Sequence, residues 1–324
     1  MDNRMNQEIT HQMESAKNIT ALVEELQHQL IEGTPQTTFI KTGFDNLDKL
    51  IGGISLGEFM VIGGRPAMGK TQLLINLSLN ISLTIPVLYI TFDLSEYLLT
   101  SRFISSVSGI PTFTMLEHHF DPQQKEVLFA INKEFSKRQL YIHDFGNHSI
   151  EAVVAQCLKQ IDESGIKVIM IDYLQFMNSG TSRHYREREL EVSNICRELK
   201  NMAKEHHVCV IVSCQLNRSV ECRGGYKRPQ LSDLRESGSI EQIADKVLFI
   251  HRPEYYGICQ DVNGDSLIGV AEIIVAKNRI GRLGECYLYF RSDYPNLQND
   301  TNDILTKSFY FSPSRLQELE DLPI

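Results

Sequence analysis

The chain has 324 residues, enough for a large core in one or two domains. An apolar fraction of 42%, a charged fraction of 23% and a net charge of -9 describe an ordinary globular protein. They exclude a uniformly basic nucleic-acid coat but leave room for a local basic stripe. Seven cysteines without a Cys-x-x-Cys pair argue against structural zinc and a disulfide framework, and fit buried free thiols. The polar N-terminus lacks the apolar core of a signal peptide, and no stretch reaches the ~18 apolar residues of a membrane span. A soluble cytoplasmic protein without a membrane partner is expected.

Residues 1–34 read as a polar start and one amphipathic helix, with Leu22, Val23, Leu26 and Leu30 at helical spacing before Gly33-Thr34-Pro35 stops it. Such a helix packs either on its own domain or on a neighbouring subunit. Residues 35–293 form the main unit. There "GEFMVIGG", "PVLYITF", "QLYIHD", "KVIMIDYL" and "VCVIVSCQ" are apolar strands separated by helices, the last helix running from about Glu187 to Glu205. Strands apolar at nearly every position predict an α/β fold, a mostly parallel twisted sheet with helices on both faces. "DKVLFIHR", "GVAEIIVAKN" and "GECYLYFRS", joined by Gly- and Asp-rich turns, predict a C-terminal antiparallel hairpin region. Residues 294–324 read as a polar tail.

Gly64-Arg65-Pro66-Ala67-Met68-Gly69-Lys70-Thr71 matches G-x-x-x-x-G-K-[ST] between a strand and a helix. Glycines let the loop wrap a phosphate chain with its N–H groups inward, beside the positive end of the helix. Lys70 would reach the β- and γ-phosphates of ATP, and Thr71 would offer its hydroxyl to Mg²⁺. Asp172 ends the apolar strand in "KVIMIDYL" and would hold the same Mg²⁺. Gln215, at the end of "CVIVSCQ", would sense the γ-phosphate from the strand edge where ligands bind in such sheets. In "YITFDLSEYL", Asp93 is either a catalytic carboxylate or the N-cap of the next helix, with Glu96 closing a capping box.

Several segments together resemble the hexameric replicative DNA helicases of the DnaB type, which carry a RecA-like P-loop motor. They are "TGFDNLDKLIGGISLGEFMVIGGRPAMGKT", "IDYLQ", "SCQLNRSVE", "RPQLSDLRESGSIEQIAD", "HRPEYY" and "AEIIVAKNRIGRLGE", in the family's order from Thr42 to Phe290. The resemblance implies an ATP-driven helicase that encircles and translocates on single-stranded DNA as a homohexamer, hydrolysing Mg-ATP between subunits. It makes Lys277 and Arg279 of the "KxRxG" segment fingers reaching the neighbour's γ-phosphate. It makes Asp93 the base that polarises water, where the family usually carries Glu; aspartate is one methylene shorter.

The "LRESG" loop, with Arg235, Glu236 and Gly238, would line the channel and follow the DNA backbone, giving grip without sequence readout. The basic loop before it, with Arg218, Arg223, Lys227 and Arg228, and the "SRHYRERE" stretch are further candidates, the DNA contacts falling first on Arg223 and Lys227. The resemblance also implies a helicase loader or primase among the partners, without identifying either. Only the linker-like helix precedes the motor, so primase contact through the family's N-terminal domain is not expected. The rival readings are a RecA-like recombinase or recombination mediator, and a weakly catalytic ATP-binding assembly factor of DNA replication; "LSDLRESGSIEQ" favours the helicase.

Overall fold

The computed structural model describes residues 16, 18–32, 39–146, 149–178, 185–234, 238–261, 263–291 and 296–299. The chain divides into two compact units, split after residue 38. The first contains helix α1 (Ile19–Glu32), whose Leu22, Val23, Leu26 and Leu30 recur at the spacing that puts them on one face.

In the second unit, α2 (Asp45–Ile51) precedes β1 (Phe59–Gly64), which runs into α3 (Lys70–Ile81). Then come β2 (Val87–Thr91), α4 (Glu96–Ser108), α5 (Thr112–Glu117), α6 (Pro122–Phe135), β3 (Leu140–Asp144), α7 (Ile150–Ser164), β4 (Val168–Asp172), α8 (Tyr185–Glu205) and β5 (Cys209–Gln215). A one-turn α9 (Ser219–Cys222) and α10 (Gly238–Ile243) lead to β6 (Lys246–His251), and β7 (Val270–Asn278), β8 (Gly284–Arg291) and β9 (Asn296–Asn299) finish the unit. Among the described residues nine strands form one sheet, ordered β3-β2-β4-β5-β1-β6-β7-β8-β9. Pairings are parallel from β3 to β6 and antiparallel from β6 to β9, as the strand composition predicts.

Every residue of β1, β2, β4 and β6 is buried, because helices cover both faces of the sheet. The side-chain period of two splits β1 between two cores: Met60 and Ile62 join Leu73, Leu77 and Phe103 on one face, and Phe59 and Val61 join Val153, Ile195 and Leu199 on the other. Five cysteines are buried, while Cys222 and Cys259 are exposed; all seven are free thiols. No helix among the described residues is long and apolar enough to cross a membrane.

The short helices α2, α5, α9 and α10 and strand β9 differ from the sequence reading. Helix α2 was not foreseen; it is capped by Gly52 at φ +73° and buries Leu47 and Ile51. Strand β9 lies in the stretch read as tail. Its pattern is weak because tertiary contacts make it a strand: Leu297 is buried, its N–H donates to Asn76 Oδ1 at 3.2 Å, and Gln72 of α3 donates to the Asn296 carbonyl at 3.0 Å.

Candidate active site

The phosphate loop joins β1 to α3. Gly69, the residue before α3, has φ +100°, and a Cβ there would lie 2.6 Å from the Phe290 ring. A side chain is therefore excluded by conformation and by space. The loop's N–H groups and the first turn of α3 offer donors and a positive end-charge of the kind that suits a phosphate. Met68 is buried in the core beneath and holds the loop down. Lys70 Nζ donates to the Arg65 carbonyl at 3.1 Å. Burial lowers the Lys70 pKa, and the Asp172 carboxylate opposes that shift.

Asp172 lies in register with Thr91 at the C-terminal end of β4 and is 3% exposed. Its Oδ2 accepts from the Thr71 hydroxyl at 2.6 Å and from the Tyr89 hydroxyl at 3.1 Å, and its Oδ1 from Ser213 at 2.5 Å. Burial, the carboxylate's charge and this hydrogen bond push the Tyr89 phenol well above its ordinary range. Hydroxyl donors satisfy the carboxylate without neutralising it, so its charge stays available to a cation. A carboxylate and a hydroxyl form an oxygen-only donor pair of the kind Mg²⁺ takes. No group of three or more His, Cys, Asp or Glu that could hold a metal occurs among the described residues. Any cation here would thus lean on the nucleotide. Ser213 and Tyr89 escaped the sequence reading, since only strand order brings them to Asp172.

Asp93 follows β2 on the same edge of the sheet and is exposed. The capping alternative is overturned: Ser95 caps α4, its Oγ accepting from Leu98 N at 3.3 Å, and Glu96 is the first helical residue. Leu94 N bonds the Thr91 hydroxyl at 3.1 Å, so the turn is closed without Asp93. The Asp93 charge is felt by Tyr173, whose phenol is raised by burial first and then by Asp93 and Asp172. Gln215 pairs in register with Gly64. Its backbone is clamped by the Gln175 amide, which accepts from Gln215 N at 3.1 Å and donates to its carbonyl at 3.2 Å.

Lys277 and Arg279 lie elsewhere. Lys277 pairs with Val247, which pairs with Val61, so the two cations stand at the end of the sheet opposite Gly64. Val61 is three residue steps from Gly64, roughly 10 Å of strand. Lys277 donates to the Glu241 and Gln242 carbonyls, and Arg279 to Gln242 at 3.0 Å, so both cap the C-terminal end of α10. Arg279 also pairs with Asp245 at 3.4 Å. Asp245 in turn accepts from Phe59 N at 2.8 Å and pairs with Lys200 at 2.5 Å.

The basic loop after β5 is more committed than its composition suggests. Arg223, expected on DNA, makes a bidentate pair with buried Asp233 at 2.7 and 3.0 Å and bonds the Arg228 carbonyl at 2.6 Å. The reason is an acidic partner ten residues on that charge counting does not reveal. Lys227 donates to the Glu221 carbonyl at 2.8 Å and sits 5.2 Å from the Tyr256 ring centre. In "SRHYRERE", Arg188 bonds the Gln175 carbonyl at 2.8 Å. Arg235 and Glu236 lie outside the described residues; Gly238 opens α10 and is exposed. One further residue beside the loop was missed, Arg252, stacked 3.5 Å above the Phe290 ring that closes on Gly69, while Arg65, expected on the phosphates, gives its guanidinium to Leu216 and Glu221.

A parallel sheet with this phosphate loop, the Asp172 carboxylate and an antiparallel C-terminal extension defines a RecA-like P-loop nucleotide triphosphatase. Residues 39–299 match the DnaB-like helicase C-terminal domain, and the chain belongs to that family. It is 37% identical over 263 residues to a probable replicative DNA helicase of Trieres chinensis, covering 80% of this chain and 57% of that protein. It is 35% identical over 266 residues to the replicative DNA helicase DnaB of Geobacillus stearothermophilus, covering 82% of this chain and 57% of that protein. A solved DnaB-like replicative helicase superposes with a TM-score of 0.76 at 29% identity, over 89% of this chain and 68% of that chain. The chain thus spans little more than half the length of the two curated relatives.

Proposed function

We propose that the chain is the motor of an ATP-dependent DNA helicase that forms a homohexameric ring around single-stranded DNA in the cytoplasm. The carrying observation is the separation within one chain. Lys70, Thr71, Asp172 and Gln215 gather at one end of the sheet, whereas Lys277 and Arg279 stand at the other. Lys277 and Arg279 would therefore serve the γ-phosphate of a neighbouring copy, adding to that copy's own Lys70, which ties hydrolysis to assembly.

In this reading Lys70 and the loop N–H groups bind the phosphates of ATP, and Thr71 with Asp172 would hold Mg²⁺, which would supply neutralisation of phosphate charge. Asp93, free of capping, orients the attacking water, and Gln215 senses the γ-phosphate. The apolar stripe of α1 would dock on the neighbouring copy. Arg235, Glu236, Gly238 and Lys227 would follow the DNA backbone, with Arg223 bracing their loop from within. Family membership favours this reading over a recombinase or an assembly factor. Phosphate release measured with and without single-stranded DNA across a range of salt tests it: marked stimulation is expected, and its absence throughout would overturn the reading.

A further inference from the structure

Residues 216–230 cross the surface as a strap tied at both ends. At the start, Arg65 of the phosphate loop is 6% exposed and gives its whole guanidinium to the strap: Nη1 donates to the Leu216 carbonyl at 2.8 Å, and Nε and Nη2 to Glu221 Oε1 at 2.8 and 2.7 Å. At the far end, Arg228 binds Glu272 at 2.6 and 3.1 Å and also pairs with Glu285. Glu272 lies on β7 and Glu285 on β8, the two strands of the hairpin that carries Lys277 and Arg279. Midway, the Tyr226 carbonyl hydrogen-bonds the buried His251 imidazole at the end of β6. Beneath the strap runs a narrow seam lined by Arg65, Met68, Leu216, Val220, Pro229 and His251. In that seam His251 Nε2 and the Tyr256 hydroxyl have no partner among the described residues.

We infer that this strap couples the nucleotide state of a subunit's own phosphate loop to the position of the fingers it offers its neighbour. The inference rests on the helicase reading above. Lys70 Nζ bonds the Arg65 carbonyl at 3.1 Å, and a bound phosphate competes for that same ammonium. Releasing the carbonyl lets the Arg65 backbone reshape. The buried guanidinium, held by three charge-assisted bonds, then carries Leu216 and Glu221 with it. Arg228 passes the shift to β7 and β8 together, because it bridges a carboxylate on each. The unpartnered His251 and Tyr256 groups leave the seam under-bonded in this arrangement, so a second arrangement costs little in lost hydrogen bonds. Two sites joined through an element with two arrangements is what energetic coupling requires.

The test cuts the strap at each end with changes of similar bulk that carry no hydrogen-bonding group, outside the phosphate loop: Glu221→Leu, Arg228→Met, and both together. ATP turnover with and without single-stranded DNA is read beside the Kd of a slowly hydrolysed ATP analogue. Coupling predicts that each single variant loses about tenfold in DNA-stimulated kcat with Kd unchanged, and that the pair is no worse than either. Losses that multiply, or that come with weakened analogue binding, would mark local damage and overturn the inference. Wild-type stimulation retained in both variants overturns the coupling alone. A wild-type chain whose turnover ignores DNA overturns the helicase reading and the coupling with it.

Discussion

The Thr71 hydroxyl donates to Asp172 at 2.6 Å, bonding the first turn of α3 to the end of a strand two places across the sheet. The same carboxylate accepts from Tyr89 and Ser213, so its orientation is set from three sides. Asp172→Asn retains an acceptor oxygen but removes the charge. Turnover is expected to fall by about 10- to 100-fold, with recovery at raised Mg²⁺, measured as phosphate release against Mg²⁺ concentration.

Asp93 is exposed and takes no part in closing the turn before α4. Removing its charge therefore has little structural cost. Asp93→Asn is expected to lower kcat by ~100-fold or more while the thermal midpoint stays unchanged. A parallel fall in both would assign the residue to folding rather than to water activation.

Lys277 and Arg279 stand at the end of the sheet opposite the phosphate loop, so in the proposed ring Arg279→Ala and Lys70→Ala would damage different halves of an interfacial site. Each alone is expected to be inactive, the finger variant by about 1000-fold. Mixing the two inactive chains is expected to restore part of the turnover, since some interfaces then pair an intact loop with an intact finger. No recovery on mixing would place both groups in one subunit's site.

Lys246 is fully buried and donates to Glu58 at 2.6 and 2.8 Å and to the Gly53 carbonyl at 3.0 Å. Glu58→Ala strands the ammonium and is expected to cost about 3–5 kcal/mol in urea unfolding. Replacing both residues with apolar ones of similar size recovers most of that loss.

Burial holds the His251 imidazole down at about 4; the Tyr226 carbonyl opposes the shift and Arg228 adds to it. The unfolded chain protonates this group near the ordinary 6.5, so between 6.5 and about 4 it binds more protons than the folded chain. The contribution is fully present above 6.5 and declines as pH falls toward 4, by about 3 kcal/mol in all. His251→Gln is expected to flatten that part of the stability–pH curve.

The phosphate loop, the alternation of apolar strands with helices and the closing hairpins were legible because each is locally encoded. A glycine at φ +100° and strands apolar at every position leave their marks in neighbouring residues. Strand β9 left no such mark, since α3 side chains more than two hundred residues away satisfy its backbone. Charge composition misplaced Arg223, whose partner Asp233 becomes its neighbour only when the loop folds back.

The strand–loop–helix of Gly64–Thr71 and the covered parallel sheet are readable from the sequence, because strand, turn and helix preferences act between near neighbours. Which groups share a site depends on strand order, which near-neighbour preferences do not encode. Strand order carries Asp172, Ser213 and Tyr89 to Thr71, and sends Lys277 and Arg279 to the far end, where this chain's own loop is out of reach.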